Sequence, residues 1–504
     1  MDLIHIPEPP LLFRFDQECL DPRDGLTLFG PLDLPKMGTI QWAAVGSREC
    51  IERMKKWVRK IQGPVKGPEG SFARPIFPGF EAVFRTVWDP RPSLELEIPA
   101  EEITRRVHNA DKHQRTFQTA ELFVNAIRDA KRTEECTPDV WCVLIPEEVF
   151  TFCRPQSRVP AQISIKPPET LSRKQLRASE TMDFLFQDMK DLKQEYEYEA
   201  NFHNQLKARL LGDKVPLQIV RESKIANCEE INAAGVRIGP DKILESAIAW
   251  NLSTAIYYKA GGKPWKLGAG REGVCYIGLV FKQIERDADQ RTACCAAQMF
   301  LNSGDGVVFR GAVGPWYHQK RGTFHLNRKA AKDIVLMCID SYTKQNGVPP
   351  LELFIHGQVN LHDEEWEGFL EGAGIGTKIV GVQIRPSGAI KLYRNGRLPL
   401  LRGSAFIADK KSGYLWTKGM IPRLRTYPGR GVPNPIYINI CRGDAEIRTV
   451  MADVLALTKL NYNSCSFGDG KPVTLKFADA VGEILTAGPT SQVSAPPLPF
   501  KYYI

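Results

Sequence analysis

The sequence has no C-x-x-C pair, although 12 cysteines are spread through its 504 residues. That removes zinc ribbons and thioredoxin-type redox motifs from consideration. The adjacent Cys294 and Cys295 are poorly placed to share a metal. Cys142, Cys275 and Cys338 sit among apolar neighbours, as reduced core cysteines of a cytosolic protein do. There is no Walker pattern and no G-x-S-x-G. The run Gly268–Gly273 fits G-x-G-x-x-G formally, but it precedes a strand instead of joining a strand to a helix. P-loop NTPases, Rossmann dehydrogenases and α/β-hydrolases are therefore unsupported. No apolar run reaches membrane length. The opening MDLIHIPEPPLLF lacks the basic and long apolar regions of a signal peptide, so a cytoplasmic location is expected. Internal repeats and low-complexity blocks are absent as well.

What is present is ordinary for a globular chain: 43% hydrophobic and 25% charged residues, with a formal charge of +9. The length suits two or three domains. The charge is compatible with a polyanionic partner and too mild to establish one. An extended, turn-rich start (IPEPPLLFRF, DPRDGLTLFGPLDLP) leads to a strand at TIQWAAVG. A helix follows, SRECIERMKKWVRKI, with Ile51, Met54, Trp57 and Val58 on one face and Ser47 as its cap. Further strands are expected at Glu81–Val87, in DVWCVLIP and in PLQIV, with helices at Thr116–Lys131 and Lys242–Lys259 and a partly helical, polar stretch over 155–214. Strands alternating with helices imply a doubly wound α/β unit. After Gly268 the pattern changes. Strands are expected at Val274–Lys282, Gly306–Arg310, Leu351–Ile355 and Lys378–Ile384, and meander strands at Ile390–Tyr393 and Tyr414–Thr417. Helices are expected at Asn327–Gln345, Glu446–Leu460 and Pro472–Leu485. The tail PPLPFKYYI is apolar enough to suggest docking.

Trp250–Gln283 is the most informative stretch. A helix ends at Lys259, a Gly-Gly-x-Pro turn follows, and a buried strand begins. This junction resembles the seam between the MID and PIWI domains of Argonaute proteins. DPRDGLTLFGP, the Leu351–Gly357 strand and LTKLNYN carry the same resemblance. It implies an α/β fold: a Rossmann-like MID domain over 1–265, including the N-terminal extended segment, then an RNase H-like PIWI domain over 266–504. The N and PAZ domains of long Argonautes have no room, so the chain resembles a short prokaryotic Argonaute.

His203 and Lys207 are four apart in a helix-prone stretch and share a face. Gln218 follows on the next strand, and Lys259 ends the later helix. One imidazole, two ammoniums and an amide have the chemistry to grip a terminal phosphate. Taken singly, such a His/Lys pair is a common solvated helix face. Order and spacing, however, resemble the MID motif that binds a guide 5′ phosphate. A further lysine common in eukaryotic members would fall at Ala255 and is missing. Prokaryotic members often complete the pocket with a divalent ion and the chain's own carboxylate. The resemblance thus implies Mg²⁺ held by Gln218 and Ile504.

RNase H-type cutting needs two metals held by carboxylates. Argonaute nucleases, which the chain resembles, place their acids at four positions, and the first of these, after a Gly-x pair on the first PIWI strand, holds Val280 here. The second needs a glutamate from a loop, and residues 286–351 contain none. The third, before a strand-end glycine, holds His356, expected as a polar or nucleic-acid contact. Asp479 matches the fourth. One carboxylate does not organise two divalent ions, so no nuclease is expected. Asp363, Glu364 and Glu365 are expected as an acidic helix start. Lys459, Asn461 and Asn463 in LTKLNYN are candidates for guide-backbone contacts. Arg385, Lys391, Arg394, Arg397 and Arg402, interleaved with Tyr393, are candidates for a duplex backbone, with Arg385 and Arg394 foremost.

The resemblance implies a guide-binding subunit of a prokaryotic defence complex. It would hold a 5′-phosphorylated guide RNA, pair it with invading DNA without cutting, and activate a partner. That partner would carry an APAZ region with a TIR or sirtuin-like NAD-consuming domain, making a heterodimer. Two rivals remain: a guide-directed nuclease with an unusual site, which predicts metal-dependent cleavage, and a scaffold, which predicts no preference for a 5′ phosphate.

Overall fold

The computed structural model describes residues 2–35, 38–135, 137–167, 169–171, 193–226, 230, 239–268, 270–283, 293–301, 306–314, 316–318, 322–427, 429, 431–489 and 497–504. A strand, β1 (Asp2–His5), opens the chain and is followed by helix α1 (Pro22–Phe29). The Asp21 carboxylate caps α1 by accepting from the Arg23 amide, and Pro22 stands where a helix lacks need of an N–H.

Four parallel strands form the smaller sheet: β2 (Trp42–Gly46), β3 (Leu94–Glu97), β4 (Val140–Ile145) and β5 (Leu217–Arg221), in the order β3-β2-β4-β5. β2 and β4 are buried at every position, which explains their unbroken apolar runs WAAVG and VWCVLI. Helices cover both faces of such a sheet. They include α2 (Arg48–Lys60), capped by Ser47 with Ile51, Met54, Trp57 and Val58 buried as expected, and α4 (Lys112–Thr133), capped by Asp111. Between them lies the short α3 (Phe80–Phe84). The strand expected at Glu81–Val87 is therefore helical over residues 81–84, and α3 ends before Arg85. Phe80, Val83 and Phe84 recur at helical spacing and are buried together, with Phe84 stacked on Tyr257. Helices α5 (Phe202–Leu210) and α6 (Glu245–Lys259) flank β5.

The larger sheet has ten strands. Those in the second half of the chain are β6 (Val274–Gln283), β7 (Ala293–Leu301), β8 (Gly306–Gly314), β9 (Glu352–Gly357), β10 (Lys378–Pro386), β11 (Ser404–Ile407), β12 (Ser412–Leu415), β13 (Ile436–Arg442) and β14 (Leu498–Pro499). Their order is β1-β11-β12-β13-β10-β9-β6-β7-β8-β14. The central trio β6-β9-β10 is parallel, with antiparallel strands on either side. Helices α7 (Arg328–Asn346) and α8 (Asp363–Ala373) cover one face. On the other lie α9 (Ile447–Leu457), α10 (Val473–Lys476) and α11 (Ala478–Thr486). The result is the mixed α/β architecture expected, with several local corrections. Ile390–Tyr393 forms no strand: Ile390 and Leu392 alternate as strand residues do but are only half-buried, and among the described residues no strand pairs with them. The helix expected over Pro472–Leu485 is two, interrupted at Phe477. β7 and β13 were not anticipated; the first carries small residues (ACCAA) that give little strand signal.

The expected boundary at 265 is also not clean. β1 pairs with β11 in the larger sheet, Asp2 opposite Ile407, so the N-terminal segment crosses to the second unit. A close approach marks the middle of the large sheet. A Cβ built on Gly278 of β6 would lie 1.9 Å from the Thr474 carbonyl oxygen, so only glycine lets α10 pack there.

Candidate nucleic-acid interface

Helix α5 starts at an Asn201 cap and presents His203 and Lys207 one turn apart. Behind it runs the start of β5, and α6 delivers Lys259 in its last turn. The end of the chain closes the group, with Tyr503 and Ile504 both buried. Lys207 Nζ donates to the Tyr503 carbonyl at 3.0 Å. Lys259 Nζ donates to the Leu217 carbonyl at 2.8 Å and to Gln218 Oε1 at 2.7 Å. The structure thus brings Lys207, Gln218, Lys259 and the chain end together. His203 stands at the solvent side, its Nδ1 3.2 Å from Asn204 Oδ1.

The electrostatics of this cluster are unusual. Lys207 and Lys259 are 4% and 1% exposed, and among the described residues neither meets a carboxylate side chain. Burial pushes the Lys207 pKa down to about 7. Burial, then the Lys207 charge, pushes Lys259 well below the ordinary lysine range. Crowding by protein atoms, then Lys207, lowers His203, which favours a neutral imidazole; because its ring is open to water, this effect is weaker than for the sealed lysines. Two sealed ammoniums with only neutral acceptors form a site that an anion would relieve. For a divalent ion, Gln218 and a terminal carboxylate are hard oxygen donors that suit Mg²⁺. They make only a partial set, which phosphate oxygens and water would complete.

The second group of candidate residues lies at the ends of β6 and β9. Val280 is on β6, opposite Ala296 of β7. His356 stands opposite Gly278, is 1% exposed, and has Nδ1 3.0 Å from Thr474 Oγ1. Burial lowers its pKa to about 3, so it is a neutral anchor for α10. Of the two roles expected for His356, the polar contact is the one it makes, to Thr474 Oγ1, with the ring facing the interior. Asp479 lies exposed in the first turn of α11 and lines a cavity of about 220 Å³ with Leu279, Gly357, Gln358 and Glu365. Glu365 is 1% exposed and already engaged: it accepts from the Leu326 amide at 3.1 Å and faces His325 Nδ1 at 3.3 Å. Asp363, Glu364 and Glu365 do form the first turn of α8. Among the described residues, no three His, Cys, Asp or Glu side chains are grouped to hold a metal.

LTKLNYN is turned inward. Lys459 Nζ donates to the carbonyls of Pro9 and Leu20 and pairs with Glu8 at 3.2 Å, so its ammonium is not available to a phosphate. Asn461 holds a local turn through Ser464 and the Asn463 amide, and only Asn463 is exposed. Arg402 is likewise buried, paired with Glu8 at 2.9 Å. Arg385 and Arg394 are exposed, Arg385 lying over the Tyr437 ring. A cavity of about 930 Å³ runs between the two units, and its lining includes Arg74, Lys418 and Lys471. Among the described residues none of these three meets a carboxylate. No sequence motif marks them, since they come from three distant segments.

No protein-family model matches the sequence, and no curated protein matches it. Solved structures do match. Clostridium butyricum Argonaute, bound to a guide DNA and a 19-mer target DNA, superposes with a TM-score of 0.64 at 14% identity, covering 100% of this chain and 55% of that one. Drosophila Piwi gives 0.59 at 12% identity, with 100% and 56% covered. Aa-Ago with externally bound siRNA gives 0.56 at 14%, with 99% and 56% covered. This chain spans about half the length of the structures it matches. Identities this low establish the fold, which is the MID-PIWI arrangement of Argonautes.

Proposed function

From this MID-PIWI fold, we propose that the protein is a guide-nucleic-acid-binding subunit that senses a complementary strand without cutting it. The observation that carries the reading is the pair of sealed lysines, Lys207 and Lys259, gathered with Gln218 and the chain end, neither meeting an acidic side chain among the described residues. A guide 5′ phosphate supplies the missing negative charge. His203 closes the open side as a directional, neutral contact. Gln218 and the Ile504 carboxylate would hold Mg²⁺, which would offset the phosphate's charge. Base pairing supplies sequence specificity, while the protein reads backbone and shape.

In this reading the guide is RNA and the target DNA. The chain acts as a short prokaryotic Argonaute in a defence complex, passing target recognition to an APAZ-containing effector with a TIR or sirtuin-like domain in a heterodimer. Val280 and His356 at two of the four metal-binding places, and the absence of a glutamate over 286–351, support a non-cutting role. Binding of one labelled RNA with a 5′ phosphate or a 5′ hydroxyl, followed by a complementary DNA, tests it. The expected result is at least tenfold tighter binding of the phosphorylated end, at about 1.4 kcal/mol per tenfold, lost in Lys207→Ala and Lys259→Ala, with the DNA captured intact. Equal binding of both ends would sink the pocket; a cut DNA strand would restore the nuclease.

A further inference from the structure

Residues 387–403 join β10 to β11 with no helix or strand, apart from one bridge between Leu401 and Met420. Connections of this length are uncommon in a packed domain and are usually functional. Both ends are pinned. The Ser387 amide donates to the Pro435 carbonyl at 3.0 Å. At the other end the buried Arg402 guanidinium is tied to Glu8, the Thr417 carbonyl and Thr458 Oγ1. The tip between these anchors is solvent-facing. Tyr393 is 76% exposed, and Lys391, Arg394 and Arg397 are exposed around it. The segment contains no Asp or Glu, and among the described residues none of the three cations meets a carboxylate. Its base opens onto the 930 Å³ cavity, whose lining includes Pro386, Arg402, Lys418, Gly419 and Ile421.

A tyrosine ring held clear of the protein, with cations two residues before and one and four residues after it, has two uses at once. The ring offers a stacking face, which any base accepts, and the cations meet phosphates on either side. A duplex hides its base faces; a single strand shows them. We infer that the 387–403 loop is a single-strand capture element: Tyr393 stacks on an unpaired base of the incoming strand while Lys391, Arg394 and Arg397 hold the flanking phosphates. The loop gathers the strand at the mouth of the cavity before it pairs with the guide. This rests on the guide-binding reading above.

The test measures binding of a fluorescent single-stranded DNA, non-complementary to the guide, to the full-length guide-loaded protein over a series of salt concentrations. The same DNA as a duplex is the second probe. Compared are wild type, Y393A, Y393F and the triple variant K391Q/R394Q/R397Q, all at exposed positions that leave the fold intact. Y393A is expected to weaken single-strand binding roughly tenfold while Y393F retains it. The triple variant should flatten the slope of log affinity against log salt by about 2, at ~0.7 per phosphate contact on a single strand. The 5′-phosphate preference of guide loading should be unchanged in all of them. Wild-type affinity in Y393A and in the triple variant overturns the proposal, and so does a loss confined to the duplex probe, which would mean the loop tracks paired backbone. Because guide loading is read separately, loss of the 5′-phosphate preference in the wild type would refute the guide-binding reading without being mistaken for failure of the loop.

Discussion

A lysine sealed from water and offered only neutral oxygens is held away from its charged form. Lys207 is in that position, and its pKa lies at about 7; an unfolded lysine titrates near 10.4. Below about pH 7 both states carry the proton, and the folded state bears the full cost of the buried charge. As pH rises from there toward 10, the unfolded chain holds more protons than the folded one, so stability rises and the cost disappears. Lys207→Met is therefore expected to stabilise the guide-free protein by on the order of 2 kcal/mol at pH 6.5 and by much less at pH 9, while abolishing 5′-phosphate preference. Urea unfolding at the two pH values reads the first, and the end-group binding assay reads the second. A phosphate favours the charged lysine, so wild-type affinity for the 5′-phosphorylated end should fall as pH rises above 7. His203 and Lys207 share a helix face by their i, i+4 spacing, and the resemblance to the MID motif singled them out. The desolvation of Lys207 could not be read in the same way, since it depends on Tyr503, almost three hundred residues later.

At the scale of elements, the large sheet depends on how closely α10 approaches β6. A Cβ on Gly278 would meet the Thr474 carbonyl oxygen at 1.9 Å, and backbone does not yield as a side-chain tip does. Gly278→Ala should then cost about 3 kcal/mol through overpacking and should loosen the His356–Thr474 contact. A thermal midpoint within a degree of wild type would show that α10 can slide. The same contact explains why the polar role of His356 is legible in the sequence while its burial is not. Its strand and its position before a glycine were legible, but the helix that buries it comes from residues 473–476. α3 was misread for a related reason: FEAVF fits either period, and burial against Tyr257 and Trp88 decides in favour of helix. Strands such as VWCVLI and WAAVG were plain, because a parallel sheet covered on both faces demands continuous apolar runs.

Over the whole molecule, the N-terminal segment ties the two units together. β1 pairs with β11, and Glu8 meets both Arg402, at 2.9 Å, and Lys459, at 3.2 Å. These two cations are nearly inaccessible, so Glu8→Ala strands both and is expected to cost 3–5 kcal/mol, roughly the penalty for breaking a buried pair. Denaturant unfolding with the midpoint unchanged would argue against that role. Sequence alone determined the α/β character, the long helices and the unbroken apolar strands, and the phosphate-site candidates. The first three rest on periodicity or apolar runs within a short window, where the backbone's own geometry dictates which residues share a face, and the phosphate-site candidates rest on their resemblance to the MID motif. Only the tertiary structure decided which cations are free. Lys459 and Arg402 looked as available as Arg385 and Arg394, yet they are spent on Glu8 and on interior carbonyls, while Arg74, Lys418 and Lys471 are carried to one cavity from distant segments. A charge's availability depends on what packs against it, and that contact is set by the fold, not by its neighbours in the chain.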